Sequence, residues 1–216
     1  MYFPITIVDN FYQDFDKIKK FVNNIQFYKK QSFSMPGQES QPLNIINPLL
    51  LEKSINKIMS MYFNRHEIRN SIRLSCVSKF EKIIPYGKGY EKEGWVHSDD
   101  NNKLTGILYI QGEYDEGTSI YNKKEVNTKN LRIKEKLYSG EKLSTDVYNT
   151  HLREHNSQFE EILNVPCIPN RIVLFDSSML HKSNGLGKLE KPRIIQTFFF
   201  DNIFAENFPI PEMRRY

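Results

Sequence analysis

The rhythm of apolar and polar residues changes twice along the chain. YFPITIVDNF, near the N-terminus, begins with alternating apolar residues, the period of a strand. Asp9 or Asn10 then stands where a helix cap is needed. Phe15, Ile18, Phe21, Val22 and Ile25 recur at helical spacing, which predicts a helix to about Phe27. SFSMPGQESQP (32–42) has no period and is rich in Ser, Pro and Gly, so it reads as loop. NPLLLEKSINKIMSMYF (47–63) predicts a second helix, with Pro48 in its first turn. From Ser71 onward the texture becomes β-rich. IRLSCVSKFEKII, KLTGILYIQG, TSIYNKKEV, NRIVLFDSS and PRIIQTFFFD are short runs separated by Gly, Asn, Asp or Pro.

Two helices followed by many short strands predict a mainly β fold, an antiparallel sandwich or barrel with flanking helices packed outside. Between Lys123 and Val165 the pattern loosens into charged, Asn- and Ser-rich sequence with a helix expected near 150–163. That stretch reads as a surface insertion between strands, in the place of a lid or substrate-side wall. The expected organisation is one domain over 1–216: supporting strand and helices in 1–70, a β core in 71–202, and the insertion 123–165.

Composition refines this picture only at its edges. A chain of 216 residues is long enough to bury a proper core. Thirty Lys+Arg against 26 Asp+Glu leave +4, too mild to argue for nucleic acid. Cys76 and Cys167 show no CxxC spacing and sit beside apolar residues, as reduced core cysteines do. MYFPITIVDN lacks the basic start and long apolar run of a signal peptide, and no segment approaches membrane-spanning length. A cytoplasmic protein without membrane association is therefore expected.

The candidate chemistry centres on GWVHSDDNN (94–102), where His97 and Asp99 stand two residues apart ahead of a strand. On an extended backbone they share one face, offering a nitrogen and an oxygen to one metal. His181, 84 positions downstream at the end of NRIVLFDSSML, is the candidate third ligand. Two histidines and one carboxylate, with further positions left open, form the facial arrangement of non-haem Fe(II) oxygenases. Arg193, 12 positions past His181, presents a planar fork suited to a carboxylate. Strand alternation sets it on one face with Ile195, Thr197 and Phe199, while Thr105, Ile107 and Tyr109 share a face of the strand after HxD. Tyr109 can thus offer its hydroxyl to the same carboxylate. The bland alternatives are a loop histidine at His97, a solvated edge-strand arginine at Arg193 and plain core roles for Tyr109 and Phe199. The ordered set of residues favours the metal site.

GYEKEGWVHSDDNNKLTGILYIQGEYDEGTSIY, NRIVLFDSSMLHKS and PRIIQTFFFD together resemble the catalytic barrel of the 2-oxoglutarate/Fe(II)-dependent dioxygenases, within them the prolyl-hydroxylase-like branch, over about Ser71–Asn202. The resemblance implies a double-stranded β-helix, the jelly-roll or cupin-like barrel. It implies Fe(II) held by His97, Asp99 and His181, and 2-oxoglutarate held by Arg193. Thr105 and Tyr109 match the family's Thr-x3-Tyr; Arg193 and Thr197 match its R-x3-T. Tyr86 matches an upstream tyrosine with looser register. O2 is the implied oxidant, with ascorbate as auxiliary reductant, and the implied reaction hydroxylates an unactivated C–H, a peptidyl proline being the first expectation. Two departures stand out: the His181–Arg193 gap is longer than usual, which implies a bulge or longer turn, and Ile195 replaces a residue that is often small and polar.

Other readings are weaker. HLREH (151–155) spells the motif of inverted zinc peptidases but lacks a further ligand helix, which leaves two solvated histidines in an insertion. NGLGK (184–188) falls short of a phosphate loop. A small-molecule oxygenase of the same superfamily, or a non-catalytic metal-binding sensor on the same barrel, is the main alternative. A nucleic-acid oxygenase is disfavoured because RIIQTFFFD lacks a second distal arginine.

Overall fold

The period-2 runs pair into two antiparallel sheets that share one interior. In the computed structural model the described residues are 2–29, 36–99, 102–124, 144–188 and 190–213. Ten strands run through them: β1 (Thr6–Val8), β2 (Phe27–Lys29), β3 (Gly37–Ser40), β4 (Arg73–Ile83), β5 (Leu104–Gln111), β6 (Thr118–Lys123), β7 (Phe159–Val165), β8 (Ile172–Asp176), β9 (Leu180–Ser183) and β10 (Arg193–Phe204). The helices are α1 (Phe15–Asn24), α2 (Leu43–Ile46), α3 (Pro48–Met59), α4 (Arg65–Asn70), α5 (Thr145–Asn156) and α6 (Pro209–Met213). The larger sheet has the order β1-β8-β5-β10-β4-β3-β2, and the smaller has β7-β6-β9. This is the expected jelly-roll barrel with helices outside.

Strand alternation decides what each face of the large sheet meets. Leu104 and Leu108 of β5, Leu174 of β8 and Phe198 and Phe200 of β10 pack with Phe11, Val22, Leu43 and Ile58 beneath α1 and α3. The intervening residues, Tyr109, Val173, Phe175 and Ile195, point the other way and meet Ile120 and Val165 of the small sheet. The site lies on this second, inner side.

Several boundaries differ from the sequence expectation. Asn10 adopts φ 54°, a left-handed turn, so helix α1 cannot begin there; it begins at Phe15. Its far end stops at Asn24 because Phe27 already pairs in β2. Helix α3 starts as expected, with the Asn47 side chain accepting the Leu50 amide at 3.1 Å and Pro48 in the first turn, but it ends at Met59. Part of the stretch read as loop is strand β3. Its signal is hidden because Gly37, at φ 126°, lies so close to β4 that a Cβ there would sit 2.0 Å from the Lys82 carbonyl oxygen.

The segment read as an insertion is also more integrated than expected. Its helix is Thr145–Asn156, and Phe159–Val165 is strand β7, paired along β6. One face of β7 is largely exposed, which blurs its alternation. The central part of the expected lid, 125–143, lies outside the described residues.

The N-terminus is tied to the turn that precedes His181. The Asp176 carboxylate accepts from the Tyr2 and Phe3 amides and from the Ser178 amide and hydroxyl. Burial alone would raise its pKa, but these donors together hold it below the ordinary aspartate value. A depressed carboxylate adds stability above its unfolded pKa and loses it as pH falls through the folded one. Asp176→Asn is therefore expected to lower Tm at pH 7, with the gap to the parent closing below about pH 4, the unfolded aspartate value. Thermal melts from pH 3 to 8 test this; a gap of constant size would contradict it.

Candidate metal and co-substrate site

Residues 94–99 run extended beside β9. The Gly94 amide donates to the Ser183 carbonyl (2.8 Å), His97 and His181 exchange backbone bonds (2.9 and 2.8 Å), and the Asp99 amide donates to the Ser177 carbonyl (2.8 Å). The i, i+2 spacing of His97 and Asp99 thus puts both side chains on the face that His181 shares.

Both imidazoles are held in one tautomer by the same local device. Nδ1 of His97 lies 2.8 Å from the Trp95 carbonyl, and Nδ1 of His181 lies 3.0 Å from the Met179 carbonyl. A carbonyl only accepts, so each Nδ1 is a donor and Nε2 is the ring nitrogen turned toward the shared face. Those Nε2 atoms face Asp99, at 3.8 Å from Oδ1 for His97 and 3.5 Å from Oδ2 for His181. The three ligand atoms lie within 4.8 Å of one another, so all fall within about 3 Å of a shared centre, close to metal-bonding reach. Among the described residues this is the one group of His, Cys, Asp or Glu side chains so arranged.

A second layer of contacts orients the ligands. Thr105 Oγ1 donates to Asp99 Oδ2 at 2.9 Å and lies 2.9 Å from Ser177 Oγ. With the Thr105 proton committed to Asp99, Ser177 is the donor of the second bond. The Phe175 ring packs on the His181 ring, with centroids 4.6 Å apart. Ligand-supporting hydrogen bonds of this kind are worth about 10- to 100-fold in metal affinity. Thr105→Val removes the hydroxyl at nearly constant shape and is expected to weaken divalent-metal binding about tenfold. Calorimetric titration of untagged protein reads this, and an unchanged affinity would show that Asp99 does not need the bond.

Arg193 opens β10 and is 1% exposed. It is no edge-strand residue, because β10 lies between β4 and β5. Its guanidinium contacts the Ser183 hydroxyl, the Gly185 carbonyl (3.2 Å) and Thr118 Oγ1 (3.4 Å), and lies 5.6 Å from the Tyr109 ring centre. Among the described residues Nε has no hydrogen-bond partner, and the nearby buried carboxylate of Glu116 makes no hydrogen bond to the guanidinium. Tyr109 is fully buried, its hydroxyl 3.5 Å from the Val165 carbonyl. Burial raises its pKa against the lowering effect of Arg193, so it remains a protonated donor.

The long gap between His181 and Arg193 has a structural reason. Residues 184–188, the NGLGK stretch, fold back over the arginine. Gly187 adopts φ 75°, and a Cβ there would lie 2.4 Å from the Arg193 amide nitrogen. A register shift between Ile194 and Ile195 adds a bulge.

Thr197 lies farther along β10, and Tyr86 packs against the interior cluster that holds Tyr109. The Thr197 hydroxyl is 3.4 Å from both the Lys79 carbonyl and Glu81 Oε1, four residues along β10 from Arg193. Tyr86 sits between the barrel interior and an aromatic cluster at α5, with ring centres 5.3 Å from Tyr148 and 6.0 Å from Tyr90. The histidines of HLREH are not a solvated pair. His155 is buried, with Nε2 2.8 Å from the Val96 carbonyl, whereas His151 meets Glu154 at 3.4 Å.

Residues 2–185 match the model of a family of unknown function, DUF6445. The chain belongs to that family. No curated protein matches it in sequence. Solved structures do match in fold. An oxidoreductase of the 2OG-Fe(II) oxygenase family from Burkholderia pseudomallei is 6% identical, with 93% of this chain and 87% of that one covered and a TM-score of 0.52. HygX from Streptomyces hygroscopicus, with nickel and 2-oxoglutarate bound, is 9% identical over 91% and 82%, with a TM-score of 0.53. A prolyl hydroxylase from Trichoplax adhaerens, in complex with a hypoxia-inducible-factor peptide fragment, is 12% identical over 98% and 86%, with a TM-score of 0.50. At these identities the likeness establishes the fold: it is that of the 2OG-Fe(II) oxygenases, prolyl hydroxylases among them.

Ser177, Ser183, Thr118 and the α5 residues Tyr148, Asn149 and Asn156 are not singled out by the sequence. Ser177 and Ser183 lie within the FDSSMLHKS run, so proximity to His181 is the available signal. Thr118 and α5 reach the site through tertiary contacts that leave no local pattern. Both cysteines are free, and burial pushes the Cys167 thiol up to about 11, so it stays protonated near Arg193. Among the described residues no helix is long and apolar enough to cross a membrane.

Proposed function

We propose that the protein is a 2-oxoglutarate- and Fe(II)-dependent oxygenase that hydroxylates an unactivated C–H of a peptide or small molecule. The observation that carries this reading is a buried guanidinium that makes no ion pair among the described residues and leaves its Nε unbonded, in the same barrel interior as the histidine–carboxylate group. Desolvating a cation costs several kcal/mol, and neutral hydroxyls and one carbonyl offset only part of that. A ligand carboxylate between Arg193 and Tyr109 would give the guanidinium the direct ion pair it lacks.

His97 and His181, each through Nε2, and Asp99 would hold the iron; nitrogen and oxygen donors with exchangeable positions suit Fe(II). Bound iron supplies the activation of dioxygen that couples decarboxylation of 2-oxoglutarate to C–H oxidation. Arg193 would take the distal carboxylate through its fork, and Tyr109 would donate its phenol proton to the same group. Thr105 holds the Asp99 carboxylate and Ser177 in turn holds the Thr105 hydroxyl. Ile120, Phe175, Leu186 and Ile195 line the interior and exclude water. Thr197 and Tyr86 would be further contacts to 2-oxoglutarate, as the resemblance implies. Peptidyl proline is the first substrate class to assay, with a small molecule second.

The test is succinate formation from 2-oxoglutarate under air, with Fe(II) and ascorbate, followed by mass spectrometry of a peptide library from the same incubation. Iron-dependent succinate is the expected result. Metal binding without succinate formation in the presence of any peptide or small molecule tried would support a non-catalytic sensor instead.

A further inference from the structure

A strand inside a barrel needs partners on both edges, or its amides and carbonyls are left without bonds. The segment Gly94–Asp99 has β9 on one side only. Along its other side lies helix α5, and the contacts have the pattern of strand pairing made by side chains. The Asn156 carboxamide accepts the Val96 amide at 3.0 Å and donates to the Gly94 carbonyl at 3.0 Å, reproducing the two bonds of a peptide unit. His155 Nε2 donates to the Val96 carbonyl at 2.8 Å. Two turns earlier, Asn149 does the same upstream, accepting the Glu91 amide (2.9 Å) and donating to the Gly89 carbonyl (2.9 Å). Between them Arg153 pairs with Glu91. Trp95, buried, donates its indole N–H to the Tyr148 hydroxyl at 3.2 Å, and its ring centre lies 5.2 Å from that of His155.

We infer that α5 acts as a surrogate edge strand for the ligand-bearing segment, and that His155 and Asn156 are positioning residues for His97. This rests on the proposed metal site. The bonded groups belong to Gly94 and Val96, and Val96 immediately precedes His97, whose Nδ1 bond is to the Trp95 carbonyl. The clamp thus fixes the two peptide units that set both the backbone direction and the tautomer of His97. It assigns the second histidine of HLREH to support of a metal ligand rather than to solvent or to zinc.

The sole tryptophan reports on the clamp. The experiment titrates Ni(II) alone into untagged full-length protein by calorimetry, beside Trp95 emission, far-UV circular dichroism and thermal melts. His155→Phe keeps a ring but loses the donor; His155→Gln keeps an N–H donor. His155→Phe is expected to remain folded, to shift Trp95 emission and to weaken Ni(II) binding at least tenfold, the range for an outer-shell partner. His155→Gln is expected to recover most of that loss, and His151→Ala on the same helix to leave affinity unchanged. If His155→Phe fails to fold, Asn156→Ala with Asn156→Gln as its conservative partner gives the same reading. A purely structural role would lower Tm without moving Ni(II) affinity, and that result overturns the inference while leaving the metal site standing. Parent protein that binds no Ni(II) overturns the metal site and the inference together.

Discussion

Replacing either metal-site histidine with alanine is expected to abolish divalent-metal binding and 2-oxoglutarate turnover together. In the proposed site His97 and His181 would each contribute one Nε2, with Asp99 3.8 and 3.5 Å from them, so either loss would leave two ligands. The effect should exceed the about 10- to 100-fold attached to an outer-shell partner, because a direct bond is removed. The two variants differ in a way that separates chemistry from packing. The His181 side chain is 5% exposed and carries the Phe175 ring, so His181→Ala also opens a cavity and should lower Tm by several degrees. The His97 side chain is 26% exposed, and its removal should leave the melt closer to the parent. Equal loss of metal from both, with unequal loss of stability, is the expected signature. Metal affinity within about threefold of the parent in both variants, a change of roughly 0.7 kcal/mol, would remove the site from consideration.

The parts of this architecture that were legible in the sequence are those with a local physical cause. Alternation over KLTGILYIQG and PRIIQTFFFD assigns Tyr109 and Arg193 to one face and Leu108 and Phe198 to the other, and the two packed clusters follow that division. The HxD spacing needs an extended backbone, and the bonds of Gly94, His97 and Asp99 to β9 and the turn before it supply one. The illegible parts depend on distant chain. Whether Arg193 was edge or centre could not be decided locally, because β5, its neighbour, lies more than eighty residues upstream. β7 and β3 were hidden because exposed, short strands carry little alternation. The pairing of α5 with Gly89–Val96 has no sequence period at all, since it is made by asparagine and histidine side chains on backbone groups. The zinc-peptidase pattern in HLREH drew attention to the right helix for a different reason.

Arg193→Lys is expected to raise the Michaelis constant for 2-oxoglutarate about 10- to 100-fold while metal affinity stays near that of the parent. Lysine keeps the charge but loses the planar fork, and so forfeits at least one charge-assisted hydrogen bond of about 1.5–3 kcal/mol; each 1.4 kcal/mol is a factor of ten. The site magnifies the difference because it is buried from bulk solvent. Arg193 is 1% exposed, and the Ser183, Gly185 and Thr118 oxygens around it are spaced for a guanidinium, so a shorter ammonium would be drawn to them and away from the ligand. A second measurement needs no turnover. Ligand at about 100 times its dissociation constant stabilises a protein by about 2.7 kcal/mol, so saturating 2-oxoglutarate with Ni(II) should raise the parent's Tm by several degrees. The same concentration should shift the lysine variant far less, whereas Ni(II) alone should shift both equally. If the Michaelis constant for 2-oxoglutarate is unchanged and affinity for the prime substrate collapses instead, Arg193 holds that substrate, and the co-substrate must bind elsewhere in the barrel.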